Sequence, residues 1–244
     1  MNILDAIIAK LPEDVPVRSV LVGAHWTVVC SRHCGMAATL MSSHPHGHKQ
    51  VRDVGQLHQK SVHELAELAL STELMEASIG VAAINSLLDV DTSQAVEINA
   101  SEVLTRLGRG KNVALVGHFP FIPQVRPEVG QLWVIEQNPR GDDYPAEAAG
   151  NLLPQADIVA ITSSSLINHT LDSLLSLCSA QATVMLLGPS TPLSPILFDY
   201  GVNIISGTQV IDEAAVVRTV GQGASFRQVE GVKLLTFIHE KEKK

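Results

Sequence analysis

NVALVG, residues Asn112 to Gly117, places four consecutive apolar side chains, Val113 to Val116, between an amide and a glycine. A strand so composed has no polar face. Strands buried on both faces belong to a parallel sheet covered by helices on either side. The pattern recurs in QLWVIEQ (Gln131–Gln137), DIVAIT (Asp157–Thr162), ATVMLLG (Ala182–Gly188) and VNIIS (Val202–Ser206), with helical stretches or loops between. The carboxyl-terminal part therefore reads as an α/β layered domain with a parallel sheet.

Toward the amino terminus the character changes at about residue 100. Ser101–Leu107 reads as a short helix, and the domains are expected to span 1–99 and 100–244. In the first, Ile3, Leu4, Ile7, Ile8 and Leu11 have helical spacing. VRSVLVG (Val17–Gly23) and WTVVCS (Trp26–Ser31) read as a hairpin around Gly-Ala-His, and GMAATLM (Gly35–Met41) as a third strand. Ser42 to Gln59 is polar and aperiodic, hence a loop. Ser61 and Glu64 form a capping-box pattern that opens a helix. A further helix, Thr72–Leu88, carries Ala77, Gly80 and Ala83 on one side, small enough for close approach of another element. Strands followed by helices make this an α+β domain.

Of the 244 residues, 45% are hydrophobic and 17% charged, with 17 Lys+Arg against 25 Asp+Glu and a formal net charge of −8. That composition supplies a core, and its acidity excludes a phosphate-backbone footprint, so no nucleic-acid partner is expected. No run of about 18–20 apolar residues exists to span a membrane. The start, MNILDAIIAKLPED, lacks the basic region of a secretory signal. Three cysteines do not make a disulfide framework, and a reducing cytoplasm is the natural compartment. A homodimer is the base-rate expectation for assembly.

Ligands of open parallel sheets gather beyond the carboxyl ends of the strands. Here those ends read Gly117-His118-Phe119-Pro120, Glu136-Gln137-Asn138, Thr162-Ser163-Ser164-Ser165 followed by Asn168-His169-Thr170, and Gly188-Pro189-Ser190-Thr191-Pro192. This last stretch is either only a stiff strand exit or, with Ser190 and Thr191 between prolines, a pre-shaped polar wall. Neither G-x-G-x-x-G nor G-x-x-x-x-G-K-[ST] occurs, so the standard NAD and ATP loops are missing. Glu136, about 20 residues past Gly117, either accepts from ribose hydroxyls or orders its own loop. Thr170 is expected to cap the following helix; Asn168 and His169 either belong to that turn or face a pocket. Paired-carboxylate, G-x-S-x-G and H-E-x-x-H motifs are absent, which removes support for standard hydrolases and zinc proteases. Two clusters suit a transition metal: Cys30, His33 and Cys34, and His44, His46 and His48. Cys30 also reads as an inert core thiol and the histidine run as solvated loop; Cys178 is core.

Taken in order, GAHWTVVCS (23–31), HCGMAATL (33–40), SIGVAAINSLL (78–88), VGHFPFIP (116–123), LPQADIVAITSSSLINHTLDSLL (153–175) and GPSTPLSPILFDYGVNIISGTQV (188–210) resemble the heavy-metal chelation domain family, whose members are uncharacterised. The resemblance covers nearly the whole chain. It implies an enolase N-terminal-like α+β domain followed by a Rossmann-like domain, and a pocket between them for a metal-chelating small molecule, pterin-, flavin- or siderophore-like. It carries Gly23, His25, Trp26, Asn85, Gly117, His118, Phe119, Pro120, Thr162, Gly188, Pro189 and Ser190 into that pocket as ligand-binding positions. Glu136, Asn168 and His169 would be its catalytic groups, with His169 as general base, since imidazole titrates near neutrality. Two other readings remain. One is a metal-sequestering protein without catalysis, using Cys34, His33, His44, His46 and His48. The other is a nucleotide- or S-adenosylmethionine-dependent transferase using Glu136.

Overall fold

A computed structural model describes residues 2–41 and 51–239. His44, His46 and His48, and the first part of the expected loop, lie outside the described residues. The amino-terminal part comprises α1 (Ile3–Ile8), strands β1 (Ser19–Val22), β2 (Trp26–Cys30) and β3 (Cys34–Ala38), then α2 (Val62–Ala66) and α3 (Leu74–Leu87). The strands form an antiparallel sheet, β1-β2-β3. Asn2 accepts the Asp5 amide at the start of α1. The Ser61–Glu64 capping box is formed at α2, which runs into a 3₁₀ turn, Glu67–Leu70. Helix α3 is buried nearly all round, as its apolar and small residues require.

The carboxyl-terminal part runs α4 (Ala100–Gly108), β4 (Asn112–Val116), α5 (Ile122–Val125), β5 (Gln131–Glu136), β6 (Tyr144–Pro145), α6 (Ala149–Leu152), β7 (Ile158–Thr162), α7 (Ser164–Ile167), α8 (Leu171–Leu177), β8 (Thr183–Leu187), α9 (Ile196–Asp199), β9 (Ile204–Val210), α10 (Glu213–Gly221) and β10 (Val232–Ile238). Its sheet has the order β10-β9-β8-β7-β4-β5-β6. All neighbours are parallel except β10 with β9. The chain turns back between β4 and β7, so the order is that of a doubly wound sheet, with an antiparallel strand added at one edge.

The two parts share a core. One cluster runs from Ile3 and Ile7 through α2 and α3 to Val159, Leu186 and Ile205. A second, with Val113, Leu115 and Val134, lies under α4 and α5. A third joins Val28, Cys30, Cys34 and Met36 of the small sheet to Val216 and Val220 of α10. The small sheet is thus held between α3 and α10. Polar ties reinforce this: the Ala38 amide donates to Ser190 Oγ at 2.8 Å, and Arg18 donates twice to the Glu213 carboxylate, at 2.9 and 2.8 Å.

Two local expectations change. Thr170 does not cap α8 through its side chain; its hydroxyl donates to Asn168 Oδ1 at 2.7 Å, a shorter local ring. Cys30 and Cys34 form a disulfide despite the unframed cysteine count. They are directly opposed across the β2–β3 hairpin, with Cα atoms 4.1 Å apart, close to the spacing of a non-hydrogen-bonded antiparallel pair.

Candidate functional site

From the β5 side inward, the carboxyl edge of the large sheet carries Glu136, Gly117, Thr162 and Gly188 at the ends of β5, β4, β7 and β8. Glu136 is engaged by main chain on both oxygens: Oε2 accepts from the His118 amide at 2.9 Å, and Oε1 from those of Gln137 and Asn138 at 2.8 and 3.3 Å. His118, fixed in this way, places Nδ1 2.7 Å from Asp143 Oδ2, whose side chain is 3% exposed. A carboxylate can only accept, so Nδ1 donates and Nε2 is left as the basic nitrogen. This orientation suits proton acceptance or ligation at the sheet's switch point. Phe119 stacks on Phe121 with centroids 5.0 Å apart, and Pro120 is exposed beside it. In the Asp143→Ala variant, nitrogen-15 NMR of His118 should show loss of the Nδ1–H tautomer as the dominant neutral form. An unchanged tautomer would remove Asp143 from this role.

His169 and Asn168 stand apart from that pair. His169 has a φ of +58° and its Nε2 donates to the Ser71 carbonyl at 2.8 Å, tying the α7–α8 turn to the amino-terminal part. Asn168 accepts from the Thr170 amide and hydroxyl. At the hairpin end, the Gly23 amide donates to the Trp26 carbonyl and the Thr39 amide to the His25 carbonyl. Trp26 packs edge-on against Phe226 at 5.5 Å. Trp26 also pairs with Ala38, which holds Ser190. The hairpin, Ser190 and half-buried Gly188 and Pro189 therefore meet.

Asn85 completes this junction. Its Nδ2 donates to the Met36 and Ser190 carbonyls at 3.0 and 3.2 Å. Beside it, a cavity of about 190 Å³ opens between the two parts, bordered by His33, Cys34, Asn85 and Asp89 on one side and Thr191, Thr208 and Gln209 on the other. Asn85 Oδ1, Thr191 Oγ1 and Thr208 Oγ1 are buried without a hydrogen-bond partner. Three orphaned polar oxygens on residues that border one cavity are unusual, since buried polar groups are nearly always satisfied. His33 Nε2 lies 2.8 Å from Asp89 Oδ1 at the rim, and Arg32 donates to Oδ2 at the same distance. The hydrogen bond from His33, with Arg32 beside it, holds the Asp89 carboxyl below the usual range.

Of the residues expected for metal, His33 pairs with Asp89 and stands outside the compact donor set. Among the described residues, that set is Cys30, Cys34 and Glu213, whose ligating atoms lie within 4.8 Å of one another. The sulfurs are joined to each other, so as it stands this set offers no thiolate and does not fit a metal ion. Asp143, Thr208, Asp89 and Glu213 escaped the sequence reading. Thr208 lies within β9 and its hydroxyl has no partner, whereas no local pattern around Asp143, Asp89 or Glu213 betrays a partner 20 or more residues away.

Fold and cavity together define a two-part α/β protein with a polar cleft where a small antiparallel sheet caps the carboxyl edge of a doubly wound one. The chain belongs to the DUF364 family, described as "Putative heavy-metal chelation", whose model matches residues 99–238. Residues 4–88 match a companion model, DUF4213, with the same description. The chain is 30% identical over 187 residues, 73% of its length and 70% of the relative's, to an uncharacterized protein of Methanocaldococcus jannaschii. A DUF364 protein of unknown function from Desulfitobacterium hafniense has the same fold, with a TM-score of 0.86 at 30% identity and 97% of both chains covered. Another, from Pyrococcus horikoshii, shares the fold at 22% identity, with a TM-score of 0.81 over 97% of this chain and 98% of that one. No helix among the described residues is long and apolar enough to cross a membrane.

Proposed function

We propose that the cleft between the two parts binds a small polar, metal-chelating organic molecule. The observation that carries this reading is that Asn85, Thr191 and Thr208, three residues bordering one cavity, each hold a buried oxygen without a hydrogen-bond partner. Asn85 Oδ1 can only accept, whereas the threonine hydroxyls can donate or accept. A complementary ligand therefore offers an N–H or O–H donor flanked by acceptor oxygens or nitrogens, the arrangement found on many bidentate chelators. The volume falls below the ~300–1,000 Å³ of drug-sized pockets, which favours a pterin-sized molecule over a whole flavin or siderophore. His33 and Asp89 at the rim would meet its charged or metal-bearing end.

Native mass spectrometry on untagged protein, purified without added metal or chelator, tests this. The expected result is one added organic mass per chain, lost in Thr191→Val and in Asn85→Leu. A bare chain that also shows no thermal shift with pterins, flavins, catecholates or hydroxamates would overturn the reading. Thr191→Val carries a second expectation. It removes a buried hydroxyl that bonds to nothing, so the ligand-free protein should gain about 1 kcal/mol in urea denaturation while losing the ligand. A loss of stability would mean that the hydroxyl is satisfied.

A further inference from the structure

We propose that Cys30, Cys34 and Glu213 form a redox-gated site for a single soft divalent cation, shut while the sulfurs are bonded to each other and opened by their reduction. The inference does not depend on an organic ligand in the cleft.

The hairpin brings the two sulfurs together in either state, because their backbones are paired residues of adjacent strands. Glu213 starts α10, the helix that covers this face of the small sheet, and its carboxylate completes the set within 4.8 Å. Two thiolates and a carboxylate match the donor preferences of zinc, cadmium and their neighbours. The charges also balance: three negative groups face a divalent ion and the Arg18 guanidinium, which already holds both Glu213 oxygens. Cys30 is fully buried, but Cys34 borders the cleft, which gives reductant and ion a way in. Three protein donors leave a tetrahedral ion one vacant position. Cys178 cannot substitute, because it lies on another helix's end with its thiol pushed up to about 11 by burial.

Reduction adds two electrons and two protons across the sulfur–sulfur bond. A dithiol reductant supplies both and closes to its own disulfide. A phosphine does the same work in vitro, taking an oxygen from water to become the phosphine oxide. The cation then displaces the two thiol protons.

Cadmium alone serves as the probe, on full-length protein handled anaerobically. One sample is left oxidised; the other is reduced with tris(carboxyethyl)phosphine and gel-filtered free of it. Native mass spectrometry should show one additional cadmium per chain in the reduced sample, with two fewer protons than the reduced apoprotein. That ion should be lost in the Cys30→Ser/Cys34→Ser double variant and bound more weakly in Glu213→Gln. Because the double variant alters a buried pair, the unmodified chain supplies a second readout. Cadmium should protect Cys34, which borders the cleft, but not Cys178, from alkylation by iodoacetamide. Equal cadmium uptake by oxidised and reduced chains, no uptake on reduction, or retention by the double variant would each overturn the proposal. Unchanged affinity in Glu213→Gln would overturn the three-donor set.

Discussion

Alanine at Gly80 is expected to disrupt the amino-terminal part more than any other single-methyl change considered. A Cβ built there would lie 1.9 Å from the Ala69 amide nitrogen, 2.5 Å from Ala69 Cα and 2.6 Å from the Leu68 carbonyl carbon. All three are backbone atoms of the 3₁₀ turn against which α3 packs, so no side chain can swing aside. Gly35, on the opposite side of α3, is nearly as tight, with the Ala82 oxygen and Ser86 nitrogen each 2.3 Å from the added carbon. Overpacking of a well-ordered core commonly costs 1–3 kcal/mol, and separation of two backbones should exceed that range, at about 3 kcal/mol or more for each variant. Urea titration against Gly150→Ala makes the comparison. Gly150 lies in α6, where a Cβ meets nothing within 4 Å, and alanine there should add about 0.5–1 kcal/mol. Gly80→Ala with an unshifted urea midpoint would show that α3 is not seated as described.

The second large effect concerns acid. Glu76 is 2% exposed, yet it receives the Arg52 amide and guanidinium at 2.8, 2.9 and 3.1 Å and the Ser71 hydroxyl at 2.6 Å. Burial pushes its pKa up. The Arg52 and Ser71 hydrogen bonds outweigh burial and bring it from 4.5 down to about 2. A folded-state value below the unfolded one means the contribution is complete above pH 4.5 and drains as the pH falls toward 2. At ~1.4 kcal/mol per pKa unit the shift corresponds to about 3 kcal/mol. Arg52 is 66% exposed, so solvent screening reduces the figure to about 2 kcal/mol. Glu76→Gln should therefore lose about 2 kcal/mol near neutral pH and flatten the stability profile between pH 4.5 and 2. Equal acid sensitivity in the two proteins would exclude Glu76 as its source.

The layered architecture was legible because Val113–Val116, Ile158–Ile161 and Val184–Leu187 are apolar on both faces, a pattern that has few structural solutions. The capping box at Ser61 was legible because its two partners are three residues apart. Strand β10 was missed: VKLLTFI mixes polar and apolar positions, as an edge strand does, and its partner β9 is fixed only by the fold. The site was less readable for the same reason. Asn85 entered the reading only through the family resemblance, and Ser190 also through its place at a strand end, but the bond between them spans 105 residues. His118 was read as a strand-end, ligand-binding position but not as an oriented imidazole, since the carboxylate that orients it, Asp143, lies 25 residues on. Cys30 and Cys34 were visible as donors, whereas Glu213 belongs to a helix brought over by packing alone.

One further contact affects the order in which this molecule can finish itself. Val96, on the connection between the two parts, exchanges both main-chain hydrogen bonds with Thr236 of β10, at 2.8 and 3.0 Å, and the Thr236 hydroxyl donates to the Ile98 carbonyl. The connection is thus clasped by the last strand described, synthesised some 140 residues later. The connection therefore gains these main-chain partners only once β10 has been made. That same late clasp shields part of an outer strand which would otherwise offer its amides to a neighbouring nascent chain.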